Sequence, residues 1–282
     1  MPRSPQRPGP QGAPRVSLLA SARVIDDPEL RWDTGGIEYG PTGCAGGGVF
    51  DPCGVVSLNA AARPSTVLVN PFGVWAGDRC SSWGFEEADY EGRARSLLEA
   101  SESKSIAAEL WSGTQAIASG WSNARLASVA SDVVNVSDGP LGVVNALACL
   151  ERGLASCSTG ERGTIHATRD VVTHWQAAGL LHREGPLVLT VNDTIVVPDA
   201  GYPGTGPNGE PAVTGSVWAY GTGLVTIYRG PIDVTPTTMR EALDRSANTV
   251  TFRASRLAMA TWDQCCHLAV EIDVVVCGVG GS

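Results

Sequence analysis

Residues 249–276 alternate apolar and polar side chains in two runs, a pattern that admits little except long β-strands. Val250, Phe252 and Ala254 stand between Thr249, Thr251 and Arg253, and further on Cys266, Leu268, Val270, Ile272, Val274 and Val276 alternate with His267, Ala269, Glu271 and Asp273. A period of two puts each set on one face of a sheet. Joined near Asp263, the two strands are expected to pair as an extended antiparallel ribbon.

The other end of the chain carries almost no such pattern. Residues 1–15 hold five prolines, three arginines and no acid, so they can neither form a helix nor bury a core and read as a flexible basic arm. Residues 21–80 have no long periodic run and are dense in Gly, Pro, Asp, Trp and Cys. Irregular stretches of that length are uncommon inside a compact monomer, so these residues are expected to pack on something outside the chain.

Between the two lies a mixed α/β region. A helix is expected over Phe85–Trp111, roughly 40 Å long at about 1.5 Å per residue. Glu86, Glu87 and Asp89 sit at the positive end of its dipole, and Gly113 stops it. Its apolar side changes partway: Tyr90, Ala94, Leu97 and Leu98 fall nearly opposite Ile106 and Leu110, with serines 101, 103 and 105 between them. A second helix is expected over Pro140–Ala155, capped by Asp138 with Val143, Leu147, Leu150 and Leu154 as its stripe, and a third over Val171–Leu181. Strand material follows at 187–197, with a turn at Asn192–Asp193, then a Gly/Pro-rich loop, then a strand at 217–228.

Composition narrows the class of function. With 43% hydrophobic and 17% charged residues the chain is globular with few exposed charges. The net charge of −9 excludes a broad basic face that coats nucleic acid. Lys104 is the only lysine among twenty basic residues, a skew that reads as GC-rich codon usage. Cysteines stand at 44, 53, 80, 149, 157, 265, 266 and 277 with no C-x-x-C pair. Without a secretory signal they are expected to be free thiols made in a reducing cytoplasm. No apolar run approaches the roughly 18 residues of a membrane span.

Candidate chemistry is sparse. His166, His174 and His182 are spaced by eight but fall on different elements, so they are not expected to converge on a metal. No G-x-S-x-G elbow is present. Cys265 and Cys266 precede His267, but neighbours in a strand point to opposite faces, and small residues buried in a sheet are the plainer reading. The loop at 201–209 lacks both a P-loop ending and a dinucleotide-binding setting, and is expected to be a loop and nothing more. No residue is therefore assigned a catalytic, cofactor-binding or metal-ligating role, and no cofactor is expected.

The order of parts (arm, irregular segment, long helix, α/β unit, terminal long strands) resembles the major capsid proteins of tailed bacteriophages, the Hong Kong 97-type coat-protein fold. The stretches "SLLEASESKSIAAELWSG", "GTIHATRDVVTHWQAAGLL", "VVPDAGYPGTGPNG", "VWAYGTGLV" and "DRSANTVTFRASRLAMATWD" are similar to coat proteins from phages of high-GC actinobacterial hosts. The resemblance implies an α+β fold with residues 1–35 as N-terminal arm and 36–80 as extended loop. Residues 81–137 would form a peripheral domain with the spine helix, 138–245 the axial domain, and 246–282 the return strands of the peripheral domain.

It also implies a virion subunit, assembled in the host bacterial cytoplasm, that forms hexamers and pentamers with itself. Such a shell encloses double-stranded DNA without sequence-specific binding, touches no membrane and works with scaffolding, portal and decoration proteins. Some relatives carry a helical scaffolding segment before the arm; none is expected here, so assembly would use a separate scaffold or none. Some members lock the shell through a lysine in the extended loop; no lysine stands there, and Lys104 falls in the spine helix, so cohesion is expected to be non-covalent. Trp75 and Trp83 would be buried between subunits, and Cys44, Cys53 or Cys80 could form inter-subunit disulfides. The same fold serves encapsulin nanocompartment shells, which is the alternative reading; a cytoplasmic hydrolase is a distant one.

Overall fold

A computed structural model describes residues 16–29, 31–40, 65–81, 87–134, 139–157 and 162–274. In chain order its first elements are α1 (Leu18–Ser21), β1 (Arg23–Asp26), β2 (Ile37–Tyr39), β3 (Val67–Val69), β4 (Phe72–Ser81), α2 (Glu87–Ser112), α3 (Thr114–Ser119), β5 (Asp132–Val133) and β6 (Leu141–Gly142). Then come α4 (Val143–Cys157), β7 (Thr164–Ala167), α5 (Arg169–Ala177), β8 (Leu181–Glu184), β9 (Leu187–Thr190), β10 (Ile195–Pro198) and β11 (Ser216–Thr222). The last are β12 (Val225–Arg229), β13 (Asp233–Thr235), α6 (Met239–Ala242), β14 (Leu243–Asp244), β15 (Thr249–Trp262) and β16 (His267–Asp273).

The strands form a six-stranded sheet around β15, an eight-stranded sheet around β16, β11 and β7, and the small β2–β3 pair. The two terminal strands exist as expected, but they do not pair with each other. β15 pairs with β12 and β4, whereas β16 pairs with β11. The chain does not turn back at Asp263. Thr222 lies opposite His267 and Val225 opposite Trp262, so residues 216–229 run antiparallel to 258–273 as one continuous ribbon. Two residues, 223–224, face four, 263–266, at its middle, and this bulge-like mismatch kinks the ribbon so that its two halves enter different sheets. Gly223 is required there, because a Cβ would lie 2.7 Å from the Asp263 carbonyl oxygen. The strand expected over 217–228 is accordingly two strands, β11 and β12, in separate sheets.

Residues 21–80 are also more regular than their composition suggests. β4 is a ten-residue strand in which Phe72 and Val74 are buried while Gly73, Trp75, Gly77 and Arg79 face out. The glycines and the exposed Trp75 hide this alternation from a hydrophobicity reading. β1 adds a parallel partner to β12, and Leu18 of α1 is fully buried. Residues 1–15 and 41–64 lie outside the described residues, as do Glu86 and Asp138.

α2 is continuous, begins with Glu87 and Asp89 and ends where Gly113 takes a left-handed φ of 61° and donates to the Glu109 carbonyl. Its buried residues Tyr90, Ala94, Leu98, Glu102, Ile106 and Leu110 step by four and therefore wind around the helix, as the changing stripe predicts. At the N-terminal end Tyr90 stacks on Phe252 of β15. At the C-terminal end Trp111 sits 5.0 Å from Tyr202 and 4.9 Å, edge-on, from Tyr220 of β11. One helix thus seals both sheets, and a single apolar cluster runs across them.

α4 starts later than expected, because Leu141 and Gly142 instead extend the sheet beside β16. α5 stops at Ala177, short of the expected Leu181, since Gly179 adopts a φ of 72° and Leu181 opens β8. Both helices cover the far face of the eight-stranded sheet through Leu147, Leu150, Leu154, Val171 and Trp175. The turn between β9 and β10 falls at the expected place, with Asp193 at φ 63°.

The loop at 201–209 does more than connect. Gly201 lies directly on α2: a Cβ there would stand 2.1 Å from the Lys104 carbonyl oxygen and 2.8 Å from the Ala108 nitrogen. Backbone cannot yield as a side chain can, so Gly201→Ala is expected to cost about 2 kcal/mol. A fall in the urea midpoint at unchanged slope would register it.

Candidate functional site

The histidines are dispersed. His166 on β7 is fully buried, with Nδ1 2.7 Å from the Tyr202 hydroxyl and Nε2 3.0 Å from the Thr222 hydroxyl. Thr222 gives its own proton to the Gly223 carbonyl, so it accepts from Nε2–H, while Tyr202 donates to Nδ1. Burial, aided by His267, holds this imidazole neutral by pushing its pKa down to about 3. His267 is also lowered by burial, and its Nε2 donates to the Leu126 carbonyl at 2.9 Å. His182 is exposed, 3.7 Å from Asp193, and His174 lies half-buried on α5. Among the described residues no group of His, Cys, Asp and Glu could hold a metal ion.

The expectation of free thiols fails. Cys157 at the end of α4 is disulfide-bonded to Cys266 beside the ribbon kink, with Cα atoms 5.5 Å apart. Cys265 is disulfide-bonded as well, and Cys149 is free. Cysteine spacing cannot reveal such pairing, because the Cα separation that permits a bridge is set by packing of α4 on β16. With both thiols of the Cys265–Cys266 pair oxidised, neither is a thiolate nucleophile beside His267.

Buried charges are structural. Asp199 accepts from the Leu18 and Gly201 backbone nitrogens and from the Ser103 hydroxyl, tying α1, the glycine loop and α2 together. Glu102 on α2 meets Arg229 on β12 and Arg256 on β15, and Arg229 in turn pairs with Asp26 of β1 at 2.9 Å. Burial raises the Glu102 carboxyl above its ordinary range, against the pull of both arginines.

What reaches the surface is suited to contact. Trp75 is 62% exposed on the outer face of the six-stranded sheet, with the Arg253 guanidinium 5.6 Å from its ring centre. Leu68, Ile117, Val129, Val133, Val144, Val191 and Val213 are exposed too. Lys104 is exposed on α2 as expected; Trp83 lies outside the described residues. No described helix is long and apolar enough to cross a membrane.

No family model and no curated protein matches the sequence. Solved structures do match. The capsid of Ralstonia phage GP4 superposes with a TM-score of 0.54 at 11% identity, covering 100% of this chain and 98% of that one. The chain has the Hong Kong 97-type fold. A structure from Mycobacterium phage Adephagia matches at a TM-score of 0.55 and 12% identity, over 96% of this chain and 93% of its own. The SrpI encapsulin complex of Synechococcus elongatus has the same fold, with a TM-score of 0.54 at 11% identity over 99% and 96% of the two chains. In this chain α2 packs along the β4–β15 pair. Sequence patterns disclosed α2 and β15 but not β4. They did not disclose Asp199, Arg253 or the Cys157–Cys266 bond, whose roles arise from convergence of distant segments.

Proposed function

We propose that the chain is the structural subunit of an icosahedral phage head, assembling into hexamers and pentamers around double-stranded DNA. One observation carries this reading: the likeness to a phage capsid spans nearly the whole of both chains. In this reading residues 1–35 are the arm, 36–80 the extended loop, 81–137 and 246–282 the peripheral domain, and 138–245 the axial domain. Scaffolding, portal and decoration proteins are its further partners. The acidic balance of −9 suits a shell that confines DNA without gripping its phosphates.

The decisive experiment is negative-stain imaging of the expressed full chain, alone and with its scaffold, together with assay of enclosed nucleic acid. Closed particles of hexameric and pentameric rings are expected. A monodisperse monomer under all conditions would overturn the proposal, and particles that fill with a protein cargo and exclude DNA would move it to the encapsulin class. Boiling the particles in detergent with reductant is expected to release monomers alone, because the chain's one lysine, Lys104, lies on α2 and residues 36–80, the extended loop in this reading, hold none. A ladder that survives reduction would show a covalent lock.

A further inference from the structure

Where the ribbon kinks, a cleft of about 530 Å³ opens between β3, the segment after α3 and the kink itself. Its lining is rich in donors. Trp262 is 1% exposed, and its indole N–H has no acceptor among the described residues; the Gln264 carboxamide nitrogen, also at the cleft, has none either. Native proteins rarely leave buried N–H groups unmatched, since each forfeits the water it gave up on folding. Arg125 lines the same cleft, and no carboxylate of the described residues lies within ion-pair distance of it.

Among the described residues nothing in the wall answers these donors: no described Asp or Glu lines the cleft, and His267, which does, uses its Nε2 proton on the Leu126 carbonyl. The Leu68 carbonyl faces the Ser122 hydroxyl. The arginine is also held in place: its stem runs against the left-handed Gly113 so closely that a Cβ there would lie 2.6 Å from Arg125 Cδ. Arg125, Trp262 and Gln264 thus bring a guanidinium fork and two unmatched N–H donors, the indole and carboxamide ones sealed from bulk water, to the lining of one cleft, the donor set that suits a planar two-oxygen anion.

We infer that this cleft binds a carboxylate, and that its occupant is an Asp or Glu side chain from a second copy of the chain. The second copy is favoured by charge: the chain carries 29 acids against 20 bases, so a neighbouring copy has a surplus of carboxylates to offer an unpaired arginine. A single guanidinium is also a poor footing for a nucleic acid backbone, which calls for a run of bases. The inference rests on the shell reading for the source of the carboxylate but not for its chemistry. It gives the kink between the two sheets a contact that reports whether a neighbour is in place.

Electron cryomicroscopy of particles formed by the full chain tests it. A neighbouring subunit's carboxylate within hydrogen-bond distance of Arg125, Trp262 or Gln264 is the expected result. A cleft filled by the subunit's own residues, by nucleic acid or by solvent alone would overturn the inference. Should no particles form, the shell reading fails on its own, and the chemistry is decided on the soluble subunit with N-acetylglutamate and its neutral counterpart N-acetylglutamine as probes. N-acetylglutamate is expected to bind at least tenfold more tightly, and Gln264→Met, which keeps the side chain's length and bulk but not its N–H groups, to weaken it about tenfold without changing the fold. Equal binding of the two probes would also overturn it.

Discussion

Removing the Cys157–Cys266 bond is expected to lower the unfolding temperature by about 8 °C. The bond joins residues 109 apart in sequence. Closing a loop of that size restricts the unfolded chain by about 4.7 kcal/mol in the chain-entropy description. The enclosed segment includes α4's neighbours α5 and β7–β12, so the bond spans most of the eight-stranded sheet. Calorimetry of Cys266→Ala against the parent checks the magnitude, with Cys149→Ala as a control that should change nothing comparable, since Cys149 is free. Reductant added to the parent should lower its transition at least as far. An unchanged transition in both would mean that the bond does not form in the folded protein.

Acidification from pH 6.5 to 5 is expected to remove about 2 kcal/mol through His166 alone. Its folded pKa, about 3, lies below the ordinary 6.5, so as pH falls the unfolded chain takes up the proton first. The stabilisation is complete above 6.5 and is lost at about 1.4 kcal/mol per pH unit between 6.5 and the folded value. His267, lowered chiefly by burial, acts in the same direction. Glu102 opposes them, because its raised carboxyl favours the fold on protonation. An NMR titration of the imidazole resonances separates the contributions: His166 should remain neutral at pH 5. A midpoint near 6.5 for the buried ring would refute the assignment, and with it the Tyr202–His166–Thr222 chain of hydrogen bonds.

Much of the architecture was legible because it is written in local periodicity. The i, i+4 steps of α2 and the alternation of β15 and β16 are properties of short windows, and both elements formed where expected. Strand partnership is a different matter. Alternation says which residues share a face but not which strand lies alongside, so Asp263 read as a reversal when it is a kink in a strand that continues. β4 went unseen because Gly73 and Gly77 give its outer face no hydrophobic contrast. The candidate cleft was the least legible part. Arg125, Trp262 and Gln264 carry no motif, and only the meeting of the segment after α3 with the ribbon brings them together.

The kinked ribbon has a mechanical consequence. Sliding its strands past one another by one residue would turn every buried side chain of β11, β12, β15 and β16 outward, so shear along the ribbon is forbidden. Its angle is held as well: Asp263 donates its backbone N–H to the Leu224 carbonyl across the kink, Gly223 leaves no room beside Asp263, and Cys266 is bonded to Cys157 at the end of α4. The joint therefore acts as a welded elbow, fixing the angle between the two sheets as firmly as the ladder fixes their register.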